Sequence, residues 1–197
     1  MKSFYKSNFL NPTEFDQLSK ICKSKEKEFD ASNYAKSYGR YGAFLFLPES
    51  LENAITEKAR IAFNVPDLKI TYVQLSKYII VDNNLPKLTP HTDKLPCTHI
   101  IDLCIDTTIP DWGLLVGDRL FEDKPNGAVF LYGNEEIHSR PEYPSQNTKD
   151  YSVQLFLNFA PSDFWFFKGD YQKAIKVMKL IPFMYSESDK NITVIQK

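Results

Sequence analysis

His91-Thr92-Asp93, taken together with His138, is the combination in this chain best suited to chemistry. Two imidazole nitrogens and one carboxylate oxygen can hold Fe(II) on one face and leave its remaining coordination positions open to other ligands. In an extended segment residues i and i+2 point to the same side, so His91 and Asp93 can converge on one ion while Thr92 points away. The third ligand must come from a distant strand, and His138 is the candidate. Three histidines and 25 acidic residues among 197 positions make a His-x-acid pair too common to define a site alone. The surrounding pattern has to supply the rest.

Upstream, residues 69–81 form a long β-branched and aromatic run that ends in the turn sequence Asp82-Asn83-Asn84-Leu85-Pro86. Downstream, 99–106, 112–116, 128–132 and 151–159 are short apolar or alternating runs separated by Pro, Asp, Asn and Gly. No helix-length pattern interrupts them. A mainly β domain with flanking helices follows, and a double-stranded β-helix of the jelly-roll, cupin-like kind is the natural architecture. Residues 13–29 and 49–64 carry helical periodicity. Thr13 with Asp16 reads as the start of the first helix, with Phe15, Leu18, Ile21 and Cys22 on one face. The charged run 23–28 is its solvated side, and 43–47 reads as a further strand.

The segment from Asn126 through Gly127 and an apolar strand to His138-Ser139-Arg140 resembles the small Fe(II)/2-oxoglutarate-dependent oxygenases, specifically the prolyl-hydroxylase-like type with His-x-Asp and a later His-x-Arg. The resemblance spans about residues 69–159. It implies His91, Asp93 and His138 as catalytic iron ligands, with 2-oxoglutarate and O₂ as co-substrates. It also implies hydroxylation of an aliphatic C–H bond with release of succinate and CO₂, and the presence of Asp93 speaks against halogenation. Two readings stay open beside it: a metal-dependent cupin-like enzyme that does not use 2-oxoglutarate, and a non-catalytic jelly-roll binding protein.

A cation is expected for the far carboxylate of 2-oxoglutarate, preferably a guanidinium, whose fork matches a carboxylate bidentately. Many members of the family carry an arginine just before the last core strand, but here Asp150 precedes Tyr151-Ser152. Arg140, two residues after His138 and so on the same strand face, is the first substitute, and Lys149 the second. Tyr78 resembles a tyrosine that bonds the same carboxylate in some members, and Ser152 and Gln154 share a face of the last core strand. His99 lacks a partner at ligand spacing and reads as a core or rim histidine, and Cys97 as a small buried hydrophobe.

At 197 residues, with 43% apolar and 14% aromatic content, the chain fits a single domain, 1–197, with core strands at about 69–159 and a C-terminal extension, 160–197. In that extension an aromatic cluster at 163–167, a basic amphipathic helix at 171–180 and a polar tail are expected. A net charge of −1 gives no bulk attraction to phosphate backbones, so nucleic acid is not favoured as a partner. A small-molecule, amino-acid or peptide substrate is expected instead, with 32–40 as a loop covering it. Three cysteines without ligand spacing suit a reducing compartment, and no run is apolar enough for a signal or a membrane span. The expected location is the cytoplasm; the oligomeric state is not legible.

Overall fold

Among residues 2–29, 37–93, 97–164 and 167, which the computed structural model describes, there are nine strands. They are β1 (Phe4–Lys6), β2 (Arg40–Phe44), β3 (Leu68–Ile79), β4 (His99–Thr107), β5 (Leu114–Val116), β6 (Arg119–Phe121), β7 (Ala128–Leu131), β8 (His138–Ser139) and β9 (Tyr151–Pro161). Helices α1 (Pro12–Lys25) and α2 (Glu49–Phe63) precede most of them. The chain forms two units, Met1–Ser162 and Asp163–Lys197, and every strand and helix named here belongs to the first.

Six strands make a large sheet in the order β1-β7-β4-β9-β3-β2, and three make a small one, β6-β5-β8. Each neighbouring pair is antiparallel. Along β9, Val153, Leu155, Leu157 and Phe159 face one way and Ser152, Gln154, Phe156 and Asn158 the other, as period-two geometry requires. The apolar face packs in one cluster with Leu18 and Cys22 of α1 and Leu51, Ile55, Ala59 and Phe63 of α2. Ile55 and Ala59 are fully buried there. Such a side chain contributes about 1.5–3 kcal/mol when an Ile or Leu is wholly removed from water. On the opposite face Ile100, Val129 and Leu131 meet Leu114 and Val116 of the small sheet, so the two sheets sandwich a second, partly polar interior.

The expected core strands are present, with ends shifted by one or two residues, except that Trp112 precedes β5. Two expectations need correcting. The first helix starts at Asn11, whose side chain accepts from the Glu14 amide while Glu14 returns a bond to the Asn11 amide. Pro12 then sits at the first helical position, where a missing N–H costs nothing, so Thr13 cannot be the cap. The strand expected at 43–47 begins earlier: β2 pairs with β3 from Arg40↔Tyr78 to Phe44↔Gln74, and Phe46 is exposed. Helix α2 stops where expected, at a left-handed Asn64 (φ 56°) whose amide donates to the carbonyls of Arg60 and Ile61, two residues before Pro66. Residues 32–36 of the expected covering loop, and the C-terminal helix and tail, lie outside the described residues, as does part of the aromatic cluster. Among the described residues no helix is long and apolar enough to cross a membrane.

Candidate metal centre

The segment that follows β3 crosses to the small sheet and adds a rung to it. The His91 amide donates to the His138 carbonyl (3.1 Å) and the His138 amide to the His91 carbonyl (2.9 Å). That bridge sets the two imidazoles side by side, with ring centroids 4.4 Å apart. Asp93 is fixed by its own amide, which donates to the Gly133 carbonyl at 2.7 Å. Gly133 is required by this approach: a Cβ there would stand 2.5 Å from the Cys97 carbonyl oxygen and 3.1 Å from the Asp93 carboxylate.

One ligating atom from each of His91, Asp93 and His138 lies within 4.8 Å of the others. His138 Nε2 is 3.2 Å and His91 Nε2 3.7 Å from the Asp93 carboxylate. Each imidazole has its Nδ1 on a carbonyl, His91 on Thr89 (2.7 Å) and His138 on Glu136 (3.0 Å). A carbonyl can only accept, so Nδ1 carries a proton in both rings and the Nε2 atoms, turned toward Asp93, are the ones a metal would take. This is the tautomer and orientation a metal ligand needs, and the carbonyls hold it. The donor set therefore fits a divalent iron bound on one face.

The two histidines differ in their charge balance. Burial and the neighbouring His138 lower the pKa of His91, with the Arg40 charge adding to the effect. His138 is more deeply buried, which disfavours its cation, but the hydrogen bond and charge of Asp93 and the Glu136 carbonyl outweigh burial and raise its pKa. A cation between these groups would replace the proton that Asp93 now favours on His138.

Arg140 does lie on the same side as His138, but its guanidinium is committed. Nη1 donates to Asp123 Oδ2 (2.6 Å) and to the Trp112 carbonyl (2.8 Å), and Nη2 to Asp102 Oδ2 (3.2 Å). Ser152 Oγ (3.0 Å) and Gln154 Nε2 (2.7 Å) donate to the same Asp123 oxygen. The Arg140 side chain is 0% exposed, and the rings of Tyr78 and Trp112 lie about its guanidinium, at 5.1 and 5.0 Å from their centroids. Burial pushes both carboxyls up, Asp102 to about 7, against the opposing pull of Arg140. Arg140 is disfavoured as a cation by burial, but Asp123 and Asp102 more than compensate, so it stays charged.

Of the residues singled out in the sequence, His91, Asp93 and His138 come together, and Arg140, Tyr78, Ser152 and Gln154 form a second, adjoining set. Lys149 is not brought to either: it is exposed in the turn before β9, and its amide donates to Asn147 Oδ1. His99 sits on the outer face against Phe63 and Tyr132 and shares a hydrogen bond with Thr98, as a rim histidine should. Cys97 is buried, with its sulfur 2.9 Å from the Tyr72 hydroxyl. Sequence reasoning missed Asp102, Asp123 and Arg40. Asp102 had a signal, a charge inside the apolar run Ile100–Ile105. Asp123 and Arg40 had none, since only the pairing of distant strands gives them neighbours.

No protein-family model matches the sequence, and no curated protein sequence matches it either. Solved structures do resemble the fold. The non-haem α-ketoglutarate-dependent carbocyclase SnoK from nogalamycin biosynthesis superposes with a TM-score of 0.64 at 12% identity, covering 82% of this chain and 80% of that one. A Pseudomonas putida prolyl-4-hydroxylase gives 0.58 at 11% identity, over 81% and 92%. The viral collagen prolyl hydroxylase from Paramecium Bursaria Chlorella virus-1, in its 2-oxoglutarate complex, gives 0.55 at 12%, over 81% and 96%. At such identities the likeness is one of architecture. The two facing antiparallel sheets, with helices on the outer face of the larger, are the double-stranded β-helix fold of the Fe(II)/2-oxoglutarate oxygenases.

Proposed function

We propose that the protein is a non-haem Fe(II)/2-oxoglutarate-dependent oxygenase in which His91, Asp93 and His138 hold the iron and an aliphatic C–H of a small molecule, amino acid or peptide residue is hydroxylated. The observation that carries this reading is the convergence of the three ligating atoms within 4.8 Å, with both imidazoles oriented through Nδ1. Bound iron, 2-oxoglutarate and O₂ would supply the oxidising chemistry, with succinate and CO₂ as by-products. The chain's own part is to hold the donors in place. The His91–His138 backbone bridge fixes the imidazoles, and the Gly133 carbonyl fixes Asp93. Cys97 and Ile100 pack at Gly133 beside Asp93, and the Cys97 sulfur meets the Tyr72 hydroxyl, giving the site an apolar border on that side.

The neighbours in fold carry different reactions, prolyl hydroxylation in two and carbocyclisation in the third, so the substrate must be read from this chain's own mouth residues. The three cysteines are free and buried, which suits a reducing cytoplasm. Anaerobic addition of Fe(II) and 2-oxoglutarate to the purified protein tests the proposal. A weak visible charge-transfer band should form in wild type and disappear in His138→Ala. One observation favours a second reading, a metal enzyme of this fold that does not use 2-oxoglutarate: Asp123 and Asp102 already balance Arg140. Bound iron with no band at any 2-oxoglutarate concentration would establish that second reading over the first.

A further inference from the structure

We infer that Glu136 is a positioning residue for the metal centre, its carboxylate pinning the turn whose carbonyls hold Asp93 and the His138 ring in ligating orientation. The inference rests on the proposed metal site and adds to it the residue that keeps its geometry. Residues 132–137 join β7 to β8, and two of the three donors hang on their carbonyls. The Gly133 carbonyl accepts from the Asp93 amide (2.7 Å), and the Glu136 carbonyl accepts from His138 Nδ1 (3.0 Å). Carbonyls aimed in this way orient the ligands only while the turn keeps its shape.

The Glu136 side chain closes that turn. Its Oε2 accepts from the Tyr132 amide (3.2 Å), tying the end of the turn to its beginning, while the Glu135 and Glu136 amides both donate to the Tyr132 carbonyl (3.0 Å each). Its Oε1 accepts from the amide (3.0 Å) and the hydroxyl (3.1 Å) of Ser3. Pairing of Phe4 with Phe130 carries Ser3 alongside the end of β7, so the carboxylate bolts the turn to the N-terminal strand as well. From the small sheet, Arg119 donates to the Ser3 hydroxyl (2.6 Å) and stands 3.9 Å from the same carboxylate oxygen. Ser3 is buried and the Glu136 side chain largely so, which limits competition from water. Three N–H and O–H donors point at two oxygens, a set that a carboxylate can accept whole and an amide cannot, because an amide would turn its own NH₂ on one of them. Bonds to a charged acceptor are also about twice as strong as neutral ones. Without this anchor the Glu136 peptide is free to rotate and His138 Nδ1 loses its acceptor. The proton can then move to Nε2, the nitrogen a metal needs bare.

Nitrogen NMR of the imidazole rings, with calorimetric titration of Ni(II) as a redox-silent stand-in for iron, tests this on wild type, Glu136→Ala and Glu136→Gln. At pH about 9, well above the ordinary imidazole range, both rings of the metal-free wild type should carry their proton on Nδ1. Glu136→Ala should turn His138 into a mixture of tautomers and weaken nickel by about 10-fold or more. His91, whose Nδ1 rests on the Thr89 carbonyl, is the internal control and should not change. Glu136→Gln keeps the chain length and one acceptor oxygen; it should show both changes in smaller measure, and it gives the reading if the alanine variant does not fold. A folded variant with wild-type nickel affinity and a wild-type His138 tautomer overturns the inference while leaving the metal site in place. An equal disturbance of His91 also overturns it, since that marks a general loosening of the fold. A wild-type protein that binds no nickel overturns the proposed metal site itself, and the inference with it.

Discussion

The two faces of the large sheet are made by the same strands yet have opposite characters. The outer face, under α1 and α2, is a continuous apolar cluster in which Leu75, Leu103, Leu155 and Phe130 are wholly buried. The inner face carries Asp102, Ser152, Gln154, Asn158 and Tyr78, also buried, and looks toward the small sheet and its His138. Residues one position apart therefore serve separate ends: odd positions of β9 hold the fold together, and even positions furnish the site. A polar interior is costly unless its groups are paired, and here Arg140 donates to Asp123 and Asp102 while Ser152 and Gln154 donate to Asp123. Stability is concentrated on one face so that the other can remain polar.

That division can be broken from either side, and the effects should fall in a definite order. The largest belongs to Asp93→Ala on the inner side, which should abolish metal-dependent turnover and weaken divalent metal binding by at least about 100-fold, with little change in melting temperature. A calorimetric metal titration that found wild-type affinity would remove Asp93 from the ligand set. Next comes Asp123→Ala, which leaves Arg140 buried without its main counter-ion; chemical denaturation should register a loss of about 3–5 kcal/mol. A loss well under that range would mean Asp102 alone can balance the guanidinium.

On the outer side, Ile55→Ala should cost about 2–5 kcal/mol by denaturation, with metal affinity unaltered. Altered metal binding in that variant would show the two faces to be coupled rather than separate. The smallest effect is a pH slope. Asp102, and Asp123 with it, titrates higher in the folded protein than the ordinary 3.8, so the fold retains a proton that the unfolded chain has released. This contribution to stability is complete below pH about 4 and is lost as pH rises toward about 7. Asp102→Asn should flatten that stretch of the stability–pH curve; an unchanged slope would place the titration elsewhere.

Much of this was legible in the residues. The longer strands β3, β4 and β9 could be read from their apolar and alternating runs, whereas β2, with a burial pattern that does not alternate, was expected three residues too late. The candidate metal ligands could be singled out because so few residue types can fill the role and His91 and Asp93 share a parity, and the structure brings their ligating atoms together with that of His138. The three-residue β1 and β6 and the two-residue β8 were not legible, since two or three positions cannot display a period. Arg140 was placed on the correct face, yet its partners were hidden: Asp123 comes from the turn before β7 and Asp102 from β4, and no local spacing links them. The first helix was mis-started at Thr13 because Thr13/Asp16 and Asn11/Glu14 offer similar signals, and only Pro12 discriminates between them.

The reciprocal pair of bonds between His91 and His138 has one more consequence. The two histidines are a rung of the small sheet as well as the proposed donors to a metal, so an ion held by their side chains would close, from a second side, the seam that their amides already close. Emptying the centre would then loosen a zipper tooth as well as remove a reagent, and the exchange of those two amide hydrogens with solvent would keep time with iron occupancy.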